Sequence, residues 1–515
     1  MKAQDLHTLA IIVEETRDNV AVAKCFLKKN TSFYYGNSII VLSEDIGIGE
    51  RFAIETIYEG KAVFQFGYPF GTSTGIKCGE RISSANVVAR LPRRIYGRRQ
   101  NLGDLQIQSK YKTLKFMGYR RSDGSSGTRN YYIVVPTSMC ASATATLIAN
   151  KFKGYIQGID GVVALPSTEG CGCAGGVQIE RYLTVIRNFI LHPNVVGALL
   201  IDLGCEQTNA VSVRHFFENV GLGARTDLQI DWLTIQKEGG VTRTIHTAES
   251  LITERLVKLS KVHRCECPIS HLIIGTECGA SDTFSGISAN RVIGNAVDKV
   301  IYGGGSAIMS EIPEMRGTEP FLFPRMRNRQ SVDKFKSIVR WYIRLARRLN
   351  YNINDNLVPE NRFGGLFNLY IKSLGAVMKG GTTAIQGVVE YAEIIQDKGL
   401  HIMQGPGNDL ESVTGLSASG SNIICFSTGR GTVTGSAIVP VIKISSTTDL
   451  FNRMPNDIDF DAGMVLNNQD VKRSVEEFGT LLLEEIIAVA SGKRTCSERN
   501  DQRQFQVWTA SKLSL

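Results

Sequence analysis

The pattern of hydrophobic and polar positions changes near residue 118. Before that point, short alternating or β-branched runs are separated by glycines, which is typical of short strands joined by tight turns. The clearest runs cover residues 8–13, 38–42 and 61–66. Beyond residue 118, apolar runs of strand length alternate with amphipathic segments of helical period, and this alternation predicts parallel βαβ units. We therefore expect an α/β protein that begins with a small β-rich module.

The same change of pattern divides the chain into four parts. They are a β-rich module at residues 1–90, a basic linker at 91–117, a first α/β region at 118–265 and a second α/β region at 266–515. A chain of 515 residues is too long for one hydrophobic core, which agrees with this division. Ligands of parallel sheets bind beyond the carboxyl ends of the strands, where this chain has Gly- and Cys-containing loops. We expect the loops of the two α/β regions to form a cleft.

Composition and charge exclude several classes of protein. Hydrophobic residues at 43% and charged residues at 21% are typical of a globular chain. The net charge of +9 is unevenly spread, yet the basic segments carry no RNA-binding or zinc-finger pattern, so we expect no nucleic-acid partner. No apolar run has the length of a membrane span and no signal-peptide pattern is present, so we expect no membrane partner. Eleven cysteines without a regular framework indicate reduced thiols and a cytoplasmic location.

Four cysteines follow predicted strands in Gly-containing loops. They are Cys171, Cys173, Cys205 and Cys278. Thiolates that converge on one point hold iron, zinc or an iron–sulfur cluster. The spacings match no standard finger or ferredoxin, and free cysteine is also a common small packing residue. A metal site and simple loop packing are both open at this stage.

Three charged residues occupy similar positions. Glu206 and Asp282 follow predicted strands, where a carboxylate acts as a base or a hard-metal ligand, or caps the next helix through a side-chain oxygen. Arg430 stands between two glycines and offers a planar fork to a carboxylate or phosphate, with a structural salt bridge as the alternative. The stretch KGGTT at 379–383 lacks the spacing of a phosphate-binding loop, so we expect no nucleotide there.

Several strings in one order along nearly the whole chain resemble the altronate/galactarate dehydratases, a family of sugar-acid hydro-lyases. RDNVAVAK at 17–24 is similar to the entry of the family's SAF-type N-terminal module. The others are GYRRSDGSSGTRNYYIVV at 118–135, EGCG at 169–172, LGCE at 203–206, CGASDTFSGISAN at 278–290, SEIPE at 310–314, KSLGAVMKGGT at 372–382, TGRG at 428–431 and DIDFDAG at 457–463.

The resemblance implies elimination of water from a sugar-acid anion through an enediolate, assisted by a divalent metal, usually iron. On this basis we expect Glu206 to act as base or ligand, Lys372 and Arg430 to hold carboxylate or enediolate charge, and Asp282 to orient the reacting groups with Asn290. Further substrate contacts are expected from Asn19, Ser281 and Thr428, and metal ligands are expected at Cys171, Cys205 and Glu15.

Some polar positions depart from the family pattern. Histidines and carboxylates typical of the family are replaced near Glu15, at 83–86, at Ser167, at 370–371 and at Gln404. These changes remove groups that ligate metals or carry protons but keep the glycines and apolar strands, so the fold carries over more safely than the activity. Two other functions stay open: a sulfo-lyase that expels sulfite from a sulfonated hydroxy acid, and a catalytically degenerate member that binds an anionic metabolite or a partner subunit. A homo-oligomer also stays open.

Overall fold

The computed structural model describes residues 4–91, 106–154, 156–171, 176–259, 261–352 and 357–509. It is a mixed α/β structure with a β-rich N-terminal part and parallel sheets in the remainder, so the predicted fold class is confirmed. One contiguous apolar core extends from the module into both α/β regions, because side chains of all three parts pack together. None of the helices in the described ranges has the length and apolar composition needed to cross a membrane.

The N-terminal module consists of short strands in small sheets around its own apolar cluster, in which Phe33 and Phe52 stack at 5.7 Å. Its first predicted strand begins later than expected, because the Asp5 side chain accepts a hydrogen bond from the His7 amide and starts a short helix, Leu6–Leu9. The strands are Gln4–Asp5, Ala10–Ile11, Val20–Ala23, Ser32–Tyr35, Ser38–Val41, Arg51–Ala53, Ala62–Gln65, Tyr68–Ser73, Arg81–Ile82 and Val87–Val88.

A buried arginine joins this module to the C-terminal part of the chain. Arg51 is 1% exposed and donates hydrogen bonds to Gln65 within the module. It also donates to the Thr283 hydroxyl at 3.3 Å and to the Gly365 carbonyl at 2.6 Å. Beside these bonds the backbones of Gly49 and Gly365 also approach each other closely, because a Cβ on Gly365 would lie 2.4 Å from the Gly49 carbonyl oxygen. The module therefore packs tightly against the second α/β region.

The segment that the sequence predicts as a linker lies partly outside the described residues, at 92–105. From residue 106 onward it contains a short helix, Ser109–Lys112, and a strand, Lys115–Arg120. This strand pairs antiparallel with Ser126–Gly127 and with Cys265–Pro268. The beginning and the end of the first α/β region thus lie side by side.

The first α/β region contains a four-stranded parallel sheet. In spatial order the strands are Gly161–Ala164, Tyr131–Pro136, Val195–Asp202 and Gln229–Thr234. Apolar residues fill both sides of the central strands, as expected for a parallel sheet covered by helices. The helices are Met139–Asn150, Val177–Leu191, Ala210–Val220, Ile235–Glu238 and Val241–Leu259.

The second α/β region contains a seven-stranded sheet in which every neighbouring pair is parallel. In spatial order the strands are Ile385–Val389, Gly399–Met403, Ser306–Met309, Ile273–Gly279, Ile423–Thr428, Val441–Ser445 and Phe460–Asp461. The first strand of this region, Ile273–Gly279, is the central one. The next three strands along the chain are added on one side of it and the last three on the other, which places a topological switch point between Ile273–Gly279 and Ile423–Thr428.

Helices cover this sheet, and the two longest in the described residues have 20 residues each. They are Arg329–Arg348 and Val471–Ala490, and Gly492 follows the second at φ +114°, as expected beyond a helix end. Ala289–Tyr302 packs against Val471–Ala490. The other α-helices are Thr283–Ile287, Glu319–Leu322, Pro359–Phe363, Leu369–Val377, Asp409–Ala418, Thr448–Arg453 and Cys496–Arg499.

A buried ion pair connects the two α/β regions. Arg129, just before the first strand of the four-stranded sheet, binds Glu498 in the C-terminal helix through two contacts of 2.6 and 2.7 Å. The side chains are 1% and 7% exposed. The guanidinium also donates to backbone carbonyls of Thr128, Val489 and Lys493, each at 2.8 Å. The C-terminal segment is therefore an integral part of the packing between the regions.

Candidate functional site

A crevice of about 740 Å³ lies between the N-terminal module and the second α/β region. Lys24 lines it from the module, and Arg430, Arg453 and Asp282 line it from the region with the seven-stranded sheet. The sequence analysis expected a cleft between the two α/β regions, and this crevice instead uses the module as one wall. The physical reason is the tight docking of the module through Arg51, which holds Lys24 opposite the strand ends.

Asp282 and Arg430 come together at the switch point of the sheet. Each follows one of the two strands that flank it, so both side chains lie beyond the carboxyl ends. A Cβ on Gly429 would lie 2.6 Å from the Asp282 carboxyl carbon, so only glycine permits this approach. Arg430 is 40% exposed and lies 3.9 Å from Glu360, a loose ion pair. Its guanidinium therefore remains accessible to an anion in the crevice.

Asp282 also caps a helix, as one of its two predicted interpretations states. Its carboxylate accepts hydrogen bonds from the Ser285 amide at 2.7 Å and the Ser285 hydroxyl at 2.8 Å, at the start of Thr283–Ile287. The Ser446 hydroxyl donates at 3.1 Å. Burial raises the pKa of Asp282, an effect that these hydrogen bonds and Arg430 partly oppose. The result is a carboxyl group held rigidly at the edge of the crevice.

The other cations of the crevice have weak counter-charges. The Lys24 ammonium donates to the backbone carbonyls of His7 at 2.8 Å and Leu466 at 3.4 Å, and burial lowers its pKa. Arg453 lies 3.4 Å from Asp449, and both side chains are exposed. Exposed pairs of this kind are weak and exchange readily with solvent or ligand. Lys24, Arg430 and Arg453 therefore give the crevice a positive lining suited to carboxylates.

A much smaller cavity lies behind the crevice. Asp282, Ser281, Asn290 and Lys372 line it together, which brings four of the predicted residues to one place. Its volume of about 10 Å³ is too small for a sugar acid. The Asn290 side chain is also fully used, because it donates to Gly375 at 2.8 Å and accepts from Ser427 at 2.5 Å. Of these residues, Asp282 also lines the crevice, and the others support it from the inner side.

Thr428 has a structural role in the same loop. Its hydroxyl oxygen accepts hydrogen bonds from the amides of Gly431 at 2.9 Å and Thr432 at 3.0 Å. These bonds fold the turn that carries Arg430. Thr428 therefore acts on the crevice by fixing the backbone on either side of the arginine.

Behind the small cavity lies a buried group of five charged or polar side chains, which we call the lysine–carboxylate cluster: Cys278, Glu311, Glu314, Lys372 and Lys379. Lys379 bonds to Glu311 and lies 3.0 Å from the Cys278 sulfur. Lys372 pairs with Glu314 at 2.8 Å. Burial disfavours the Lys372 charge, but the neighbouring Glu314 outweighs this and raises the pKa of Lys372. The cluster thus contains two matched ion pairs.

The sequence analysis missed the two glutamates and assigned Lys379 only to an incomplete phosphate loop. Glu311 and Glu314 follow the strand Ser306–Met309, the direct neighbour of the strand Ile273–Gly279, which contains Cys278. Glu311 has a left-handed backbone, with φ +69°, which is unusual for a residue with a side chain. A usable signal was present, because SEIPE directly follows the short apolar run at 307–309, which the structure shows as part of a strand next to the one that contains Cys278.

The cluster contains the donor set that best resembles a metal site in the described part of the chain. Cys278, Glu311 and Glu314 each have a ligand atom within 4.8 Å of the others. These donors do not fit a resident divalent metal, because the ammonium of Lys379 already bonds to the first two and Lys372 pairs with the third. A dication there would have to displace a lysine whose charge already balances the carboxylates. We therefore derive no chemical step through a metal.

Glu206, Cys171 and Cys205 lie in the first α/β region and do not line the crevice. The Glu206 carboxylate accepts hydrogen bonds from the amides of Leu203 and Gly204 and from the Ser138 hydroxyl. Burial opposes its ionisation, but these donors prevail and lower the pKa of Glu206. This arrangement joins two strand ends, and it leaves the role of base without support from the contacts of Glu206.

The thiols of this region lie near that carboxylate. Cys171 shares a hydrogen bond with Cys140, a residue that the sequence analysis did not single out, and the charges of Cys205 and Glu206 act on it. Together these effects raise the pKa of Cys171, the bond to Cys140 most of all. Cys173 lies outside the described residues. The assignment of Cys171 and Cys205 to a metal stays a prediction.

Glu15 and Asn19 lie in the N-terminal module. Glu15 accepts a hydrogen bond from the Tyr35 hydroxyl at 3.1 Å, in different surroundings from those of Cys171 and Cys205. Asn19, which directly precedes the strand Val20–Ala23, binds the backbone of one other strand, Ala62–Gln65, because its side chain accepts from the Phe64 amide and donates to the Ala62 carbonyl. The structure therefore does not place Glu15 with the two cysteines as one ligand set, and Asn19 has a structural position.

Comparisons with known proteins agree with these observations. Three family models match consecutive parts of the chain: the SAF domain of altronate/galactarate dehydratases at residues 9–90, the second domain of D-galactarate dehydratase/altronate hydrolase at 118–260, and the C-terminal domain of D-galactarate/altronate dehydratase at 269–513.

Curated relatives extend over the same length. An altronate dehydratase of Bacillus subtilis is 32% identical over 511 residues, which cover 96% of this chain and 97% of the relative. A galactarate dehydratase (L-threo-forming) of Escherichia coli is 29% identical and covers 96% of this chain and 93% of the relative. The β subunit of a (2R)-sulfolactate sulfo-lyase of Chromohalobacter salexigens is 30% identical and covers 76% of this chain and 96% of the relative. The chain belongs to the altronate/galactarate dehydratase family.

Proposed function

We propose that this protein is a lyase that eliminates water from a sugar-acid anion of the altronate or galactarate type. The observation that carries the proposal is the crevice of about 740 Å³, with three cations around it and the Asp282 carboxyl at its edge. Its volume lies in the range of small-molecule sites, and its charge suits an anionic polyhydroxy acid. The dehydratase relatives support the same class of substrate.

The reaction requires a base, a positive environment and a proton for the leaving group. A base removes the proton next to the carboxylate, and the resulting enediolate expels the neighbouring hydroxyl group, which takes up a proton and leaves as water. The enol then tautomerises to a 2-keto-3-deoxy acid. We assign Arg430 and Lys24 to the substrate carboxylate and its developing enediolate charge, because both are positive and face the crevice.

Asp282 is the group we assign to proton transfer. It is a carboxyl group in the crevice lining whose pKa burial raises, and a carboxyl with a raised pKa exchanges protons more effectively at neutral pH. Lys372 has a positioning role in this proposal. It shares the small cavity with Asp282 and connects it to the lysine–carboxylate cluster.

The test is product formation from a panel of hexonates and aldarates, with detection of 2-keto-3-deoxy acids. Arg430→Gln removes one carboxylate partner and should raise KM by about 10- to 100-fold, the effect of losing a charged hydrogen bond. Arg348→Gln, at the exposed end of the helix Arg329–Arg348, is the matched control and should leave KM unchanged. If no member of the panel gives a 2-keto-3-deoxy acid, the proposal of sugar-acid dehydration is wrong.

A sulfo-lyase is the second candidate, favoured by the sulfo-lyase relative over most of the chain. It would use the same crevice and the same enediolate, but the carbon–sulfur bond would break and sulfite would leave. Sulfite release from a sulfonated hydroxy acid distinguishes it from water elimination. A protein that binds hexonates or aldarates in the crevice but releases neither product would be a catalytically degenerate member of the family.

A further inference from the structure

A second cavity, of about 510 Å³, lies away from the crevice and shares none of its lining residues. It opens between the helices Ala289–Tyr302 and Val471–Ala490, beside the turn at Gly381 and Thr382. Three cations line it: Arg291 from the first helix, and Lys472 and Arg473 from the first turn of the second. None of these residues is part of the proposed reaction.

Arg291 is the residue that distinguishes this cavity from an ordinary surface hollow. Its Nη1 atom is buried and has no hydrogen-bond partner, and burial lowers the pKa of the side chain. Within the described ranges its guanidinium makes neither a hydrogen bond nor an ion pair, and Glu14 and Asp18 act on it only through longer-range electrostatics. A partly buried guanidinium whose Nη1 atom is buried without a partner is costly unless an anion compensates it.

The acidic residues around the cavity are already satisfied by other donors. Asp298 accepts hydrogen bonds from the amides of Thr382 and Thr383 and from the Thr382 hydroxyl. Asp470 caps the helix through the Arg473 amide at 2.9 Å. The third, Glu476, accepts from Asn295 and pairs with Lys299.

Lys472 and Arg473, by contrast, form no side-chain ion pair with any described residue. The three carboxylates of the lining therefore already have hydrogen-bond donors, whereas the side chains of the three cations that line the cavity have no hydrogen-bond or ion-pair partner among the described residues. This imbalance is the feature that indicates an anionic ligand.

We propose that this cavity binds a small phosphorylated metabolite. The planar guanidinium of arginine can donate two hydrogen bonds to phosphate oxygens. The first turn of the 20-residue helix Val471–Ala490 adds the positive end of the helix dipole. The volume leaves room for an organic group beyond the phosphate. The phosphate lies against Arg291, with Lys472 and Arg473 closing the site from the opposite helix.

The experiment is calorimetric titration of the full chain with glucose 6-phosphate as the probe, and with glucose as the uncharged control. We expect saturable binding of the phosphate ester and none of glucose. Arg291→Met should weaken binding by about tenfold or more, because it removes the buried partner of the phosphate. Arg430→Gln, in the other crevice, should leave the dissociation constant unchanged, which separates this site from the proposed reaction.

A second measurement guards against a variant that fails to fold. Without ligand, Arg291→Met should melt at the same temperature as the natural protein or higher, because it removes an uncompensated charge. The exposed double variant Lys472→Gln and Arg473→Gln should also weaken binding. Absence of binding at millimolar glucose 6-phosphate would overturn the proposal. Equal affinity of the natural protein and Arg291→Met, or tighter binding of a tricarboxylate than of the phosphate ester, would also overturn it.

Discussion

Replacement of Glu498 by glutamine should strongly destabilise the protein. The change removes the counter-charge of Arg129 but keeps the shape of the side chain. Arg129 would remain 1% exposed and charged, because its other donors bind three backbone carbonyls that fix it in place. Burial opposes the ionisation of Glu498, but Arg129 prevails and lowers the pKa of that carboxyl, so the pair is charged at neutral pH.

The expected magnitude follows from the burial of both partners. Breaking a buried ion pair by removal of one partner costs about 3–5 kcal/mol, because the remaining charge has lost its compensation. Glu498 also closes a capping box with Thr495, which glutamine can keep through its amide oxygen, so the expected loss comes from the ion pair. The pair joins the two α/β regions, and we expect them to loosen together.

Urea unfolding, followed by near-ultraviolet circular dichroism, measures this effect. Glu266→Gln is the matched control, because Glu266 pairs with Lys115 at 2.7 Å on the surface, where both side chains are more than half exposed. That control should unfold at the same urea concentration as the natural protein. If Glu498→Gln also unfolds there, the pair does not hold the regions together and the reasoning is wrong.

Three further predictions concern acid stability, the cluster and the crevice. Burial lowers the pKa of His192 to about 3, so between that pH and 6.5 the unfolded chain binds a proton that the folded chain does not. The free energy of unfolding should therefore fall by about 1.4 kcal/mol for each pH unit within this window. Urea midpoints measured across the window should show this slope, and His192→Gln should flatten it. Lys379→Ala removes the ammonium between Cys278 and Glu311 and should create a cobalt(II) site with thiolate charge-transfer absorption, which the natural protein lacks. Gly429→Ala places a methyl group against Asp282 and should cost about 1–3 kcal/mol in urea unfolding and lower any turnover, whereas unchanged values would contradict the close approach.

The fold was largely predictable because periodicity is a local property. Tyr131–Pro136 is a continuous apolar run of strand length, which is typical of a buried parallel strand. Val471–Ala490 repeats apolar residues with the period of a helix. The short helix Leu6–Leu9 was not predictable in this way, because a single cap at Asp5 decides it against an apolar run.

The candidate site was predictable only in part. Asp282 and Arg430 were found because each follows a strand within a glycine-containing loop. Their partner across the crevice, Lys24, was missed, because its position depends on how the module docks. The run SEIPE marks Glu311 as a residue beyond a strand, but its pairing with Cys278 depends on the order of strands in the sheet, which the local pattern does not specify. Lys379 reaches Cys278 from a turn after the helix Leu369–Val377, about 100 residues further along the chain, and no local pattern indicates that contact.

Because the module docks on the second α/β region through Arg51, the shape of the proposed substrate crevice and the assembly of the chain depend on the same contact. A polypeptide that starts after residue 91 would keep the seven-stranded sheet, the switch point and Arg430, but it would lose Lys24 and the wall of the crevice that the module supplies. A substitution at Arg51 should therefore affect the affinity for an anion in the crevice as well as the stability of the chain, although Arg51 does not line the crevice.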